Sequence, residues 1–387
     1  MSSRLIVNSI RHTGASGDAV SLANDGTCTA NITNRTNKNL VINGACLIAQ
    51  RGTSSTADGY GTVDRFQNNH SNTDEAPTQA QADVASGTTP YTSGFRKSFK
   101  ITNGNQTSGA GSSDEVFIRT KLEAQDLANS GWNYTSASSF ITFSFWVKSS
   151  VAQNFYGYLR TKDGTSQSYP FETGALSADT WTKVTKTIAG NSNLTFNNDN
   201  GHGLEIYILP FSGTDYTGSV SLNDWGAYSS STRTPDNTST WYTTNDATFE
   251  LTGVQLEVGS VATDFEHRSF AQELALCQRY CQVHVNPPLC GVVPDNGSRV
   301  YVAQTILPVK MRTTPTLSAS NTGSSGGQRV NDGGTAAVFS SILGSAYPTD
   351  ISMRFDANLG TDLGDFRPAL FYNSSGYETT FTLNAEL

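Results

Sequence analysis

Between Phe95 and Val258 the chain breaks into seven short runs in which apolar residues return at about every second position: GFRKSFKIT, EVFIRTKLEA, SFITFSFWVKSS, NFYGYLRTK, WTKVTKTIA, GLEIYILPF and TFELTGVQLEV. A period of two sends alternate side chains to opposite faces of an extended strand, so each run has one apolar face that must be covered. Seven such runs, separated by turn residues and without a strong helical pattern, predict a mainly β chain built on a two-sheet antiparallel sandwich. Only 15% of residues are charged and 35 are glycine, a balance that suits many short strands and tight turns.

At 387 residues the chain is too long for one core, and its composition divides it into four parts. Residues 1–38 hold only brief apolar alternations, Leu5/Val7 and Val20/Leu22, which bury too little to offset the entropy of ordering them. Residues 39–265 carry the sandwich, 266–287 a helix, and 288–387 a second β-rich unit, expected as a C-terminal sandwich, with runs such as RVYVAQTIL, ISMRF and TTFTLN between Gly- and Asn-rich loops. The net charge of -8 has the wrong sign for a binder of nucleic-acid phosphates or anionic membranes. No stretch of roughly 18 apolar residues exists, and the opening SSRLIVNSIR is not a secretory leader, so synthesis in a cytosol and no membrane insertion are expected. Five scattered cysteines do not form a disulfide framework and read as reduced.

The helix is signalled by Ser269, placed to cap it with Gln272 three residues on, and by Pro287-Pro288, which forbid continuation. Phe270, Leu274, Cys277 and Cys281 follow at spacings of four, three and four, a coiled-coil stripe that needs a partner. That partner is either a neighbouring domain of the same chain or the same helix from other subunits around a symmetry axis. Cys277, Cys281, His284 and Cys290 also have zinc-binding chemistry. Their spacing is atypical and interrupted by the prolines, so neither a metal nor any cofactor is expected.

A binding surface is legible if Ile141–Lys148 pairs with Asn154–Thr161 as a hairpin. Ile141, Phe143, Phe145, Val147, Phe155 and Leu159 then face the core, while Trp146 stands opposite Tyr156, beside Tyr158 and Arg160. Tyr207, off the core side of its own strand, can join them. Rings beside hydroxyls and a guanidinium suit a sugar, whose C–H faces stack and whose hydroxyls take directional hydrogen bonds. The opposing reading is that a loop, sheet or subunit covers these rings. Trp225/Tyr228 and Trp241/Tyr242 flank a polar loop as rim or as anchors. For catalysis the chain offers no nucleophile elbow, phosphate loop or zinc-protease motif, and the carboxylate pairs Asp114/Glu115 and Asp362/Asp365 read as solvated loop residues, so an enzyme is not expected.

Three segments, TGVQLEVGSVATDFEHRSFAQELALCQRYCQ, NLVINGACLIAQRGTS and LPVKMRTTPTLS, resemble recurrent stretches of tail-fibre and related virion proteins of marine bacteriophages, cyanophages above all. FITFSFWVKS and ADTWTKVTKTI are similar to jelly-roll carbohydrate-binding modules, in which Trp181 would be a core residue. The calcium ligands usual on the last strand of such modules are replaced here by Thr252-Gly253, and NNDNGHG at residues 197–203 reads as an Asx-Gly turn. The resemblance implies a virion-surface protein that recognises its host and docks on a phage tail or adaptor protein through its N-terminus; with three copies zipped along the Phe270-to-Cys281 stripe, a homotrimer that meets host surface glycan is expected. A polysaccharide depolymerase and a capsid decoration or spacer protein are the alternatives. Within residues 1–38 the choice lies between an attachment peptide that adds strands to its partner and a disordered leader.

Overall fold

The computed structural model describes residues 7–14, 18–22, 28–30, 37–294, 298–303, 305–320, 329–331, 336–342, 348–360, 362–363, 367–372 and 378–387. Much of the expected attachment segment, Asp365 and most of the polar loop at residues 321–335 lie outside them. Near the N-terminus β1 (Ser9–Ile10), β2 (Val20–Leu22) and β3 (Cys28–Ala30) form a small antiparallel sheet in that order.

The sandwich uses β4 (Ser54–Ser55), β5 (Phe66–Ser71), β6 (Thr78–Asp83), β7 (Lys97–Thr102), β8 (Glu115–Glu123), β9 (Phe140–Ser149), β10 (Asn154–Thr161), β11 (Gln167–Ala175), β12 (Thr182–Ala189), β13 (His202–Ser212), β14 (Gly226–Ala227) and β15 (Thr248–Val258). Short helices α1 (Thr89–Thr92), α2 (Ala124–Ala128) and α3 (Thr240–Thr243) lie in its connections. One six-stranded sheet runs β14-β11-β10-β13-β8-β5 and the other β12-β9-β15-β7-β6-β4. Between them Ile141, Phe143, Phe145 and Val147 of β9 meet Phe155 and Leu159 of β10, all buried. Phe155 packs edge-on against Phe249 at 4.8 Å and Phe143 against Phe171 at 5.7 Å.

The inward and outward faces of β9 and β10 therefore follow their alternation, but the expected hairpin is not formed. β9 pairs with β12 and β15, and β10 pairs with β11 and β13. The connection from Ser149 to Asn154 crosses from one sheet to the other, held where Ser150 donates its N–H to Thr248. Alternation fixes which face is buried, and two strands facing each other across a core satisfy it as well as two side by side.

β15 carries the bulge expected at Gly253, where its register against β9 shifts and φ reaches +62°. The segment from Asn39 to Cys46 clasps it. The Asn39 side chain donates to the Val254 carbonyl and accepts from Leu256 N–H, both at 3.0 Å. A Cβ on Gly44 would lie 2.0 Å from the Val254 oxygen, so only glycine allows this approach.

The helix α4 spans Phe270–Gln278, and Ser269 and Gln272 exchange the expected capping-box hydrogen bonds. It is shorter than its stripe. Cys281 begins strand β16 (Cys281–Val285), where Cys281, Val283 and Val285 alternate along an extended chain instead of continuing a helix. Cys277 and Cys281 are fully buried within their own chain, which corrects their assignment to an intersubunit ridge. Phe270 is 62% exposed and Leu274 half-buried.

The rest of the chain comprises β17 (Cys290–Val292), β18 (Arg299–Val302), β19 (Thr305–Ile306), β20 (Thr316–Ser320), β21 (Arg329–Asn331), β22 (Ala336–Ile342), β23 (Ser352–Met353), β24 (Asp356–Leu359), β25 (Pro368–Tyr372) and β26 (Thr380–Asn384). The β-rich unit expected here closes into a barrel, β17-β18-β24-β22-β21-β25, with β16-β26-β20 as an adjoining sheet. Phe339, Phe355, Phe371 and Phe381 fill its core at ring separations of 5.2–6.4 Å. Among the described residues no helix is long and apolar enough to cross a membrane.

Sandwich and barrel are joined by buried charge. At the end of β8 the Glu123 carboxylate accepts from Arg279 at 2.7 and 2.8 Å and from the Tyr280 hydroxyl at 2.5 Å. Arg65 lies 3.4 Å from the Tyr280 ring centroid and pairs with Glu386, which also binds Arg51 at 3.2 Å. Arg312 donates to Asn200 and Ala385 carbonyls across the same seam. Removing one partner of such a set strands the others. The Glu123→Ala substitution is expected to lower unfolding free energy by about 3 kcal/mol in denaturant titration, and an unchanged midpoint would contradict this account of the joint.

Candidate functional site

The outer face of the sheet containing β10 and β13 is organised by register. Tyr158 stands beside Tyr207, Tyr207 beside Arg119 and Arg119 beside Gln67, giving one row across four strands. A second row sets Arg160 beside Glu205 and Glu205 beside Lys121. The Tyr158 and Tyr207 rings stack at 4.3 Å with 13° between their planes. The Tyr207 hydroxyl donates to Glu205 at 2.9 Å and accepts from Arg119 at 3.0 Å, while Arg119 Nε holds Gln67 at 2.8 Å.

Glu205 is the electrostatic centre of this face. Arg119, His202 and Lys162 approach its oxygens to 3.8, 3.6 and 4.0 Å. Burial alone would raise its pKa; the contact with His202, the charges of Arg119 and Lys162 and the Tyr207 hydrogen bond outweigh it and hold the carboxyl at about 2. Burial and the facing Glu205 charge push the Tyr207 phenol up to about 12. Both side chains thus keep their ordinary charge states near neutral pH.

The segment after β13 lies over this face. The Arg160 guanidinium sits 3.6 Å from the Tyr228 ring centroid, and Tyr228 tilts over Tyr158 at 6.3 Å. Arg233 stacks on Tyr216 and binds Glu115 at 2.6 Å. Trp225 is an anchor, its Nε1 donating to the Ala189 carbonyl at 2.9 Å, and Trp241 and Tyr242 are buried. Under this cover Tyr158 is 1% and Tyr207 4% exposed. Tyr156, Arg160, Phe117, Arg119 and Tyr228 are half-buried around them.

Of the expected aromatic surface, Tyr156, Tyr158, Arg160 and Tyr207 do share one face. Tyr158 and Tyr207 are its buried support and do not offer rings to a ligand. Trp146 is not part of it, because β9 lies in the other sheet, where Trp146 stands beside Lys183 and Thr252 and packs with Trp181 and Phe95. Trp181 is half-buried there, with the Lys148 ammonium 5.2 Å from its ring, and not a core residue. Sequence reading missed Phe117 and Arg119, the off-core positions of EVFIRTKLEA, because their place depends on β8 lying next to β13. It also read Asp114/Glu115 as solvated, whereas both are buried and Glu115 is tied to Arg233.

A cavity of about 900 Å³ lies elsewhere, between residues 37–42, α2 and the loop after β15. Its cations are already engaged, Lys38 by Thr263 and the Asp264 carbonyl and Arg268 by the Asn39 and Val41 carbonyls. Burial and the neighbouring Glu123 charge raise Asp126, on its wall, to about 6. Among the described residues no group of three or more His, Cys, Asp or Glu is placed to hold a metal ion; Cys277 and Cys281 are buried and Cys290 is exposed.

No protein-family model and no curated protein matches the chain. Solved structures similar to part of it include the enzymatically active domain of bacteriophage CBA120 tailspike protein 4, at 8% identity over 57% of this chain and 21% of that one, TM-score 0.29. They include also the N-terminal cellulose-binding domain of Cellulomonas fimi β-1,4-glucanase C, at 11% identity over 56% of this chain and 99% of that one, TM-score 0.26. A family 11 carbohydrate-binding module from Clostridium thermocellum, in complex with a mixed-linked tetrasaccharide, matches at 10% identity over 56% and 98%, TM-score 0.24. Likeness at this level transfers no site and no ligand.

Because the Glu205 carboxyl is held below its ordinary 4.5, its stabilisation is complete above that value and is lost as pH falls toward 2. Glu205→Gln is expected to flatten the fall in denaturant midpoint between these limits, and an unaltered acid profile would contradict the ion cluster described.

Proposed function

We propose that this protein is a non-enzymatic glycan-binding protein of a phage virion, a tail-fibre-like adhesin that meets host surface sugar through the outer face of β10 and β13. The observation that carries the reading is the partly exposed set on this face, Tyr156, Phe117 and Tyr228 with Arg160 and Arg119, around the buried Tyr158–Tyr207 stack. Rings next to fixed donors match a pyranose, and the packing around them keeps their positions before a ligand arrives. The virion setting, with attachment to a tail or adaptor protein through residues 1–38, rests on the phage-like segments of the sequence. In this reading the chain acts as a homotrimer, so that weak sugar contacts add through effective concentration.

A glycan array followed by calorimetry on the bound sugar tests the site. Tyr156→Ala and Arg160→Ala are each expected to weaken binding by roughly tenfold, about 1.4 kcal/mol, while Trp146→Ala on the opposite face leaves it unchanged. Wild-type affinity in Tyr156→Ala would refute this face as the binding surface. The sugar chain should keep its length on incubation; shortening would make the protein a depolymerase.

A further inference from the structure

One arginine on the outer face of the β10 sheet keeps free donors. Residues 39–265 contain six arginines, and five of them end on carboxylates or carbonyls: Arg51 and Arg65 on Glu386, Arg96 on the Tyr91 and Phe95 carbonyls, Arg119 on Glu205 and Arg233 on Glu115. Arg160 does not. Its Nε donates to the Ser166 hydroxyl at 3.2 Å and its guanidinium lies over the Tyr228 ring, but among the described residues nothing accepts from Nη1 or Nη2. Ser166 fixes both supports, since its hydroxyl donates to the Thr161 carbonyl at 2.6 Å and its own carbonyl holds the Tyr228 N–H at 3.0 Å. The guanidinium is thus half-buried and oriented, with the end that carries two parallel donors unoccupied.

The charges nearby have the same sign. The Lys162 ammonium lies 4.0 Å from Glu205, beyond hydrogen-bond reach, and has no acceptor among the described residues. Glu205 is already shared by Arg119 and His202, so Arg119, Arg160 and Lys162 face one carboxylate, on a chain whose net charge is -8. Of the other acids on this face, Glu115 is matched by Arg233, and Glu172 stands beside Tyr156 at the other end of β10, where it accepts from Asn154 at 2.8 Å. The face is therefore polarised, with ring and acid at the Tyr156 end and unmatched cations at the Arg160 end. We propose that the sugar bound here is acidic, a uronic-acid unit whose carboxylate is taken end-on by Nη1 and Nη2 of Arg160 with Lys162 beside it. A carboxylate offers two oxygens to those two donors, whereas a neutral hydroxyl would accept from one and leave the other bare. Four residues along a strand are about 13 Å, so Tyr156 meets a different unit of the same glycan chain.

This ligand class rests on the glycan-binding role proposed above, and the two fail separately. Calorimetry on the full chain uses polygalacturonate, alginate and hyaluronate, each beside the same polymer with its carboxyls reduced to alcohols. A uronate polymer should bind, weaken as salt rises to about 0.5 M, and lose roughly tenfold or more in affinity on carboxyl reduction. Arg160→Gln should cause the same loss on the acidic polymer and almost none on the reduced one, because both changes remove a single contact; an arginine that only supports the fold would weaken both polymers alike. Arg160→Lys keeps the charge and the stem and serves if the Gln variant unfolds: it should retain the salt dependence while losing the two-point contact and several-fold in affinity. Dextran sulfate against dextran tells a sulfate ester from a carboxylate, and binding to dextran sulfate alone overturns the uronate. Equal affinity for acidic and reduced polymers, or losses that add, overturns the acidic ligand and leaves the sugar face standing. Binding to none of these polymers and to no sugar on the glycan array overturns both.

Discussion

The carboxylate of Glu123 is the point on which the chain turns. It ends β8, begins the turn of α2, and grips Arg279 and Tyr280 where α4 stops and β16 starts. A buried charge is tolerated only when its desolvation is offset by hydrogen bonds, and here four donor atoms, two from Arg279 and one each from Tyr280 and Gln125, surround it and draw its pKa below the ordinary value against the effect of burial. An apolar contact would hold the two units together as well, but it would not fix their rotation. Directional bonds from a planar guanidinium do, and so the barrel takes one orientation on the sandwich.

The same logic appears on the outer face of the β10 sheet, with the opposite outcome for exposure. Stacking Tyr207 under Tyr158 and tying its hydroxyl between Glu205 and Arg119 removes both rings from solvent while fixing the side chains around them. Side chains already held in one rotamer lose little entropy when a ligand arrives. The half-buried Tyr156, Phe117 and Tyr228 are few, and a sugar lying on them would gain only the few kcal/mol that ring contacts supply. This is a surface suited to weak, specific contact.

The seven strand runs, the buried faces of β9 and β10, the bulge at Gly253 and the capping box at Ser269 were all legible in the sequence, because each is decided within about ten residues. What was not legible depends on neighbours. Trp146 and Tyr156 are ten residues apart and were read as partners across a hairpin; the chain instead crosses between sheets, which the period of two does not record. The stripe from Phe270 to Cys281 has helical spacing, yet Cys281, Val283 and Val285 also have strand spacing, and Glu123, more than 150 residues earlier, decides between them by seizing Arg279 and Tyr280. The expected ridge thus failed at its C-terminal half for a reason no local pattern contains.

That failure moves the weight of any self-association away from α4. With Cys277 and Cys281 turned into their own chain, the helix retains only exposed Phe270 and half-buried Leu274, too little for a coiled-coil seam. The barrel, by contrast, carries exposed apolar side chains on its strands, Leu370 and Val292 among them. Because the Glu123 joint fixes the barrel's orientation, whatever the barrel meets is placed at a set angle to the β10 sheet. Fixed spacing between sites raises their effective concentration, where a linker that let them wander would dilute it.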